Sequence, residues 1–154
     1  MNKALLAVLM VFLLVTPSYA AQTQKTIVDE VTISKASTLA EGNTNISEAE
    51  KVTFFVTYTS SSPTEGVTAN VTASISYDGI HWQDISWFDV AGGATPQTSE
   101  TLTTNQTYVG WFDKALTAPR IRIGINMSEA NAPAAVGYGA EMTATVTVKI
   151  IERK

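Results

Sequence analysis

Few residues in this sequence could carry out catalysis. His81 is the only histidine among 154 residues, and the chain has no cysteine. A Ser-His-Asp site would need His81 beside a serine, but the sequence lacks the Gly-x-Ser-x-Gly turn that often presents such a serine. A zinc site would need more nitrogen or sulfur ligands than the chain contains. We therefore expect that the protein is not an enzyme and that it requires no cofactor.

Three aspartates close together in sequence, Asp78, Asp84 and Asp89, are the remaining candidates for ion chemistry. A glycosidase needs two carboxylates that face each other across a cleft, and the spacing of these acids singles out no such pair. Calcium requires only several oxygen ligands from loops. The three aspartates are therefore calcium candidates, although solvated acids in turns are the more common explanation.

Aromatic side chains are the other lead to a function. Phe55, Trp82, Trp87, Tyr108 and Trp111 cannot all point into one core if their strands alternate. Those left outside would pack under loops, stack on a sugar or contact another subunit. We take Phe55, Trp87, Tyr108 and Trp111 as candidate interface or ligand-binding residues.

The segment 67–88 is the predicted centre of the fold. Its first half alternates apolar and polar residues with a period of two, which indicates a strand with one buried face. Asp78 and Gly79 then form a hairpin signal, and the predicted return strand carries Trp82, Trp87 and Phe88. Such a hairpin needs a second layer to cover its apolar face.

Similar alternation predicts further strands at 26–35, 51–60, 99–104, 107–113, 120–126 and 140–151. The polar segment 37–50 is predicted to be a loop, with a short helix at 47–51 as an alternative. About eight strands result, which predicts an all-β, single-domain antiparallel β-sandwich with jelly-roll-like connections. This domain would span 37–154, and 21–36 would form a leader that includes the first strand.

The N-terminus has the layout of a secretory signal peptide. Lys3 precedes an apolar run at 4–15, and 18–20 read Ser-Tyr-Ala, a small-x-small cleavage site. The run is shorter than the ~20 residues that span a bilayer, so we expect cleavage after Ala20, no remaining membrane span, and a secreted or cell-surface protein. The formal net charge is −4, with no cluster of basic residues, which argues against nucleic acid as a partner.

The sequence has four Asn-x-Ser/Thr sequons, at Asn45, Asn70, Asn105 and Asn126. The predicted alternation places Asn70 and Asn126 on solvent faces, and Asn45 and Asn105 in loops or turns. We therefore predict four accessible glycosylation sites in a host that has the pathway.

This layout of signal peptide, short leader, N-terminal strand and threonine-rich, cysteine-free sandwich resembles secreted filament subunits. These are the bundling-pilus proteins of archaea and the TasA-type biofilm fibre proteins of bacteria. The resemblance implies a homopolymer in which each subunit donates its N-terminal strand to the next. Carried over to this sequence, Ile27, Val31 and Ile33 would be the inserted side chains, with Asp29 on the same face.

A different reading comes from the run Tyr77-Asp78-Gly79-Ile80-His81-Trp82. It resembles the Tyr-Asp-Gly-x-x-Trp hairpin of many surface and phage-borne β-sandwich modules. In those modules the motif is mainly structural, a turn followed by a packed tryptophan. The alternative function is therefore a secreted carbohydrate-binding or adhesive module, with glycans as its partners.

Overall fold

A computed structural model describes residues 21–34, 38–61, 68–91, 95–103, 105–113, 118–127 and 143–154. These residues form ten strands in two antiparallel sheets. The strands are β1 (Gln22–Ser34), β2 (Leu39–Asn45), β3 (Lys51–Ser60), β4 (Ala69–Ser76), β5 (Gln83–Asp84), β6 (Phe88–Asp89), β7 (Glu100–Leu102), β8 (Gln106–Asp113), β9 (Arg120–Met127) and β10 (Thr143–Arg153). Sheet 1 has the order β1-β10-β3-β8-β6, and sheet 2 has the order β2-β9-β4-β5, with β7 also paired to β4.

The predicted all-β, antiparallel β-sandwich is confirmed. Almost every connection crosses from one sheet to the other, since only β4 and β5 follow each other within one sheet. This crossing pattern is what makes the sandwich jelly-roll-like. Among the described residues, no helix is long and apolar enough to cross a membrane. The predicted signal peptide at 1–20 lies outside the described residues.

The core lies between the sheets and follows the alternation of the long strands. In β3, the side chains of Val52, Phe54, Val56 and Tyr58 are fully buried, while their neighbours point to solvent. The inward residues of β9 and β10 meet them from both sheets. The described part of the chain contains no buried side-chain nitrogen or oxygen without a hydrogen-bond partner. Because the sequence has no cysteine, this core is packed without disulfides.

The central hairpin differs from its prediction. The first strand is confirmed as β4, but its return partner β5 has only two residues. The chain then leaves sheet 2, and Phe88 pairs with Trp111 of sheet 1. Trp87 lies at this crossing and is fully buried. The aromatic segment is therefore a bridge between the sheets, because large apolar side chains gain most where they are covered from both sides.

The predicted loop at 37–50 is also wrong in part, since 39–45 form strand β2. Its inward residues include Ala40 and Gly42, which are too small to produce a clear apolar alternation. A Cβ atom on Gly42 would lie 2.1 Å from the carbonyl oxygen of Ile27. Only glycine permits this close approach, which brings β2 of sheet 2 against β1 of sheet 1.

Candidate functional site

The outer face of sheet 1 carries the candidate site. Because Val52, Phe54 and Val56 fill the core, the alternation of β3 turns Phe55 and Thr57 outward. Antiparallel pairing then places Val109 and Lys149 on either side of Phe55. Outward residues of four strands thus form one continuous surface.

A groove of about 450 Å³ crosses this face. We call it the bulge groove. Strand β1 contributes Gln24, Asp29 and Glu30 to one side of it. The remaining lining residues come from β3, β8 and β10, and they are Phe55, Thr57, Thr107, Thr147, Lys149 and Ile151. The groove therefore combines one aromatic ring with carboxylates, hydroxyls and an ammonium group.

A β-bulge in β1 shapes the groove. The pairing of β1 with β10 shifts register between Val28 and Val31, and Glu30 has a φ of 48°. This left-handed conformation is uncommon for a residue other than glycine. The Glu30 N–H donates a hydrogen bond to Thr147 Oγ1 at 3.2 Å, which holds the bulge against β10. Bulges redirect side chains in this way, and here two consecutive acids line the groove.

The hydroxyl groups of the groove form an ordered set. The Oγ1 atoms of Thr57 and Thr107 lie 3.3 Å apart on neighbouring strands. Thr147 pairs with Thr57 from the other side. Each hydroxyl can both donate and accept, so the set retains capacity for a further hydrogen-bonding partner.

Next to the groove lies a second aromatic group, which we call the Trp111 cluster. The rings of Trp111 and Phe88 stack with centroids 4.9 Å apart and an interplanar angle of 26°. The Lys51 ammonium lies 3.7 Å from the centroid of the Trp111 ring. These contacts reduce the ring surface that Trp111 could offer a ligand. Phe55, in contrast, makes no ring–ring contact among the described aromatic residues.

Of the four aromatic candidates, Phe55 and Trp111 lie on this outer face, but Trp87 and Tyr108 do not. Trp87 is fully buried and Tyr108 is 7% exposed. The Trp87 Nε1–H donates to the Tyr108 hydroxyl at 2.8 Å, and Trp87 packs edge-on against Phe54 at 5.7 Å. Burial raises the pKa of Tyr108. The prediction of an exposed role for these two residues is wrong. The core covers their rings, and their polar atoms have hydrogen-bond partners there.

The predicted donor residues are not buried equally. Ile33 is fully buried, Ile27 is half-buried, and Val31 is 40% exposed. Register shifts on both sides of Val28 place it opposite the buried Val148, so Val28 takes the core position that unbroken alternation would give to Ile27 or Asp29. Asp29 consequently lies in the groove and not in the core. In this structure β1 pairs with β10 of its own chain.

The four sequons lie mostly on sheet 2. Asn45 ends β2 and is exposed, while Asn70 and Asn126 face each other across β4 and β9. Asn126 is exposed and Asn70 is half-buried, with its Oδ1 accepting from Thr101 Oγ1 at 2.9 Å. Asn105 precedes β8, and its Oδ1 accepts from the Ser60 N–H at 2.7 Å. None of the four sequon asparagines lines the bulge groove, but Thr107, the threonine of the Asn105 sequon, does.

The three calcium candidates have separate local partners. Asp84 Oδ1 accepts from Ser74 Oγ at 2.8 Å, and Asp89 Oδ1 accepts from the Ala91 N–H at 2.8 Å. Asp78 Oδ1 accepts from the His81 N–H at 2.8 Å within the hairpin turn. Across the described ranges, no group of three or more histidine, aspartate or glutamate residues is placed to hold a metal ion.

His81 lies exposed in the same turn. Its Nδ1 is 2.6 Å from Asp78 Oδ2, and this hydrogen bond together with the carboxylate charge raises the pKa of His81. The pKa of Asp78 is lowered by the His81 side chain first and then by backbone N–H groups of the turn. Gly79, with a φ of 79°, closes the turn. The hydrogen bonds between Asp78 and His81 therefore stabilise the turn.

Comparison with solved structures bears on the fold. The SPBc2 prophage-derived protein YomS is 14% identical, with a TM-score of 0.58 over 91% of this chain and 99% of that one. A CBM36 domain of a xylanase from the hindgut metagenome of Trinervitermes trinervoides is 10% identical, with a TM-score of 0.39 over 87% of this chain and 98% of that one. The Cry4Aa toxin from Bacillus thuringiensis is 8% identical, with a TM-score of 0.38 over 86% of this chain and 24% of that one.

No protein-family description and no curated protein matches this sequence. The chain shares its β-sandwich with YomS, and at 14% identity that similarity concerns the fold alone. The two other similarities are too distant to support an argument about this chain. Function must therefore be argued from the surfaces and edges of the sandwich itself.

Proposed function

We propose that the protein is a structural subunit of an extracellular filament or surface assembly. In this assembly each subunit donates β1 to the edge of β10 in a neighbour. The observation that carries the proposal is the position of β1, an N-terminal strand of 13 residues at the edge of sheet 1. A terminal edge strand can leave and be replaced without breaking any other strand pairing.

The contacts of β1 support exchange between subunits. Val28 and Ile33 fill core positions, and ten residues of β1 have register partners in β10. The Lys25 ammonium lies 2.5 Å from Glu152 Oε1, and the Glu152 side chain is only 5% exposed. Withdrawal of β1 would remove the ion-pair partner of Glu152 and open the edge of β10, which favours capture of another β1.

Exchange would conserve these contacts, because a β1 strand from a second copy meets the same β10. Only four residues, 35–38, connect β1 to β2. A head-to-tail contact of this type does not close on itself, so it extends into a filament. The predicted signal peptide supports assembly outside the cell.

Engineered disulfides can test this proposal, because the chain has no cysteine of its own. Thr32 and Thr145 are register partners in β1 and β10. A Thr32→Cys chain mixed with a Thr145→Cys chain should form a disulfide between chains, and fibres should be visible by electron microscopy. The matched control carries both substitutions in one chain and reports pairing within a subunit.

Two results would overturn strand donation. The first is a mature protein that yields only monomers, with disulfides confined to the double-cysteine chain. The second is a variant beginning at Ser37 that polymerises as well as the mature protein. The proposal includes no catalysis, and turnover in a screen of polysaccharides and peptides would contradict that part of it.

A carbohydrate-binding or adhesive module is the second candidate function. One observation favours it: the bulge groove contains a half-buried aromatic ring, Phe55, surrounded by hydrogen-bonding side chains. Ligand sites commonly combine an apolar surface with a few placed polar groups. Binding and assembly are compatible, since a surface fibre can also adhere.

A further inference from the structure

We propose that the bulge groove binds neutral oligosaccharides. This inference deepens the second candidate function and rests on it, and it is independent of strand donation. The groove volume of about 450 Å³ falls within the range of ligand sites, roughly 300–1,000 Å³. The groove lies open along the sheet face, so it suits a segment of an extended chain.

The lining matches the two kinds of surface on a sugar ring. The C–H face of a pyranose is apolar, and the half-buried Phe55 ring provides a flat apolar partner. The ring hydroxyls both donate and accept hydrogen bonds. The threonine hydroxyls can do the same, while the carboxylates accept and the Lys149 ammonium donates.

The charge of the groove selects among sugars. Asp29 and Glu30 carry two negative charges, and Lys149 carries one positive charge. The net negative charge disfavours polyanions such as uronate chains, phosphates and sulfated glycans. Neutral chains remain, and charged acceptors strengthen hydrogen bonds from their hydroxyls.

The location of the groove is consistent with binding in the assembled state. Three of its lining residues come from β1, so the site is complete only while β1 lies against a β10 strand. Strand donation would conserve it at each junction between subunits. The sequons at Asn45, Asn70 and Asn126 lie on sheet 2, so glycans there would leave the groove open. Asn105 lies two residues before the groove residue Thr107, so a glycan at Asn105 would be close to the groove.

The test is an NMR titration of the full chain with cellohexaose, xylohexaose and mannohexaose, and with an anionic oligogalacturonate. We expect at least one neutral hexasaccharide to shift the amide signals of Glu30, Thr57 and Thr147. Phe55→Ala should weaken that binding about tenfold or more. The matched control is Trp82→Ala, an aromatic residue over Arg122 on the outer face of sheet 2, which should change binding less than about twofold.

Asp29→Asn keeps the shape of the side chain and removes its charge, so it tests selectivity without a large change in packing. It should weaken binding of the neutral hexasaccharide and raise the affinity for oligogalacturonate.

The inference is overturned if no neutral hexasaccharide shifts the groove amides, or if oligogalacturonate binds the unmodified chain equally well. It is also overturned if Trp82→Ala acts as strongly as Phe55→Ala. The disulfide experiment tests strand donation separately, so one proposal can be overturned without the other.

Discussion

The two outer faces of the sandwich have different chemistry, although both arise from alternating strands. On sheet 1, the Phe55 ring and the Trp111 cluster adjoin a groove lined by threonines. On sheet 2, the Arg122 guanidinium lies 3.6 Å from Glu41 and over the Trp82 ring at 4.6 Å. Sheet 2 also carries three of the four sequons.

The two faces differ in how many of their polar groups are paired within the protein. The polar groups of sheet 2 largely pair with one another, as Ser74 does with Asp84. Sheet 1 leaves an aromatic ring half-exposed in a groove, which is an arrangement expected of a contact surface. Sheet 1 also has β1 at its edge, so both proposals concern the same sheet.

The largest expected effect on stability comes from comparing the inner and outer faces of sheet 1. Phe54→Ala removes a fully buried ring and should lower the free energy of unfolding by about 3–5 kcal/mol. Phe55→Ala, one residue along the same strand, should cost about 1 kcal/mol or less. Urea unfolding followed by fluorescence measures both. Equal losses would mean that Phe55 serves the core, and the outer face would lose its candidate site.

The second prediction compares ion pairs from the two sheets. Lys25→Met leaves the buried Glu152 carboxylate without its ammonium partner and should cost about 1–3 kcal/mol. Arg122→Met breaks the more exposed pair with Glu41 and should cost about 1 kcal/mol or less. Unfolding free energies test the difference, and hydrogen exchange should show faster opening of β1 only in Lys25→Met. A larger effect of Arg122→Met would contradict the assigned importance of the β1 edge.

The sequence predicted the strands whose inward residues are large. Val52, Phe54, Val56 and Tyr58 alternate without interruption, and burial follows that pattern. Strand β2 was not predicted, because its inward residues Ala40 and Gly42 contribute little apolar surface. Gly42 is explained only by its approach to Ile27, a contact between distant segments. A small inward residue is therefore a weak local signal for a strand.

The candidate site was predicted only in part. The register shifts on both sides of Val28 change which residue faces inward in the middle of β1, and no residue type in 28–31 indicates them. Gly110 could have indicated that Tyr108 faces the core, because Tyr108, Gly110 and Phe112 lie on the same face of β8. Gly110 makes room there for the Phe54 ring, since a Cβ atom on it would lie 2.2 Å from Phe54 Cζ. Groove residues such as Thr57 and Thr147 meet through long-range register, which alternation alone does not specify.

The third prediction concerns glycans on sheet 2. In a host with N-glycosylation, Asn126 should be more fully occupied than Asn70, because Asn126 is exposed and Asn70 is half-buried and hydrogen-bonded to Thr101. Intact-mass analysis of Asn70→Gln and Asn126→Gln variants measures the occupancy. Loss of the sheet 2 glycans in these variants should change hexasaccharide binding in the groove less than about twofold. A strong change would mean that the faces are not independent.

The smallest expected effect lies in the turn that follows β4 of sheet 2. Because Asp78 raises the pKa of His81 above its ordinary value of 6.5, the pair stabilises the fold most below that pH. The contribution should fade as pH rises through the higher pKa of the folded state. As the only histidine, His81 gives a single NMR titration curve. Asp78→Asn should return the pKa of His81 towards 6.5, whereas Asp84→Asn, whose carboxylate contacts Ser74, should leave it unchanged. An unaltered pKa of His81 in Asp78→Asn would show that the hydrogen bond between the two side chains is not formed in solution. The turn would then depend on Gly79 and on the hydrogen bonds that Asp78 Oδ1 accepts from backbone N–H groups.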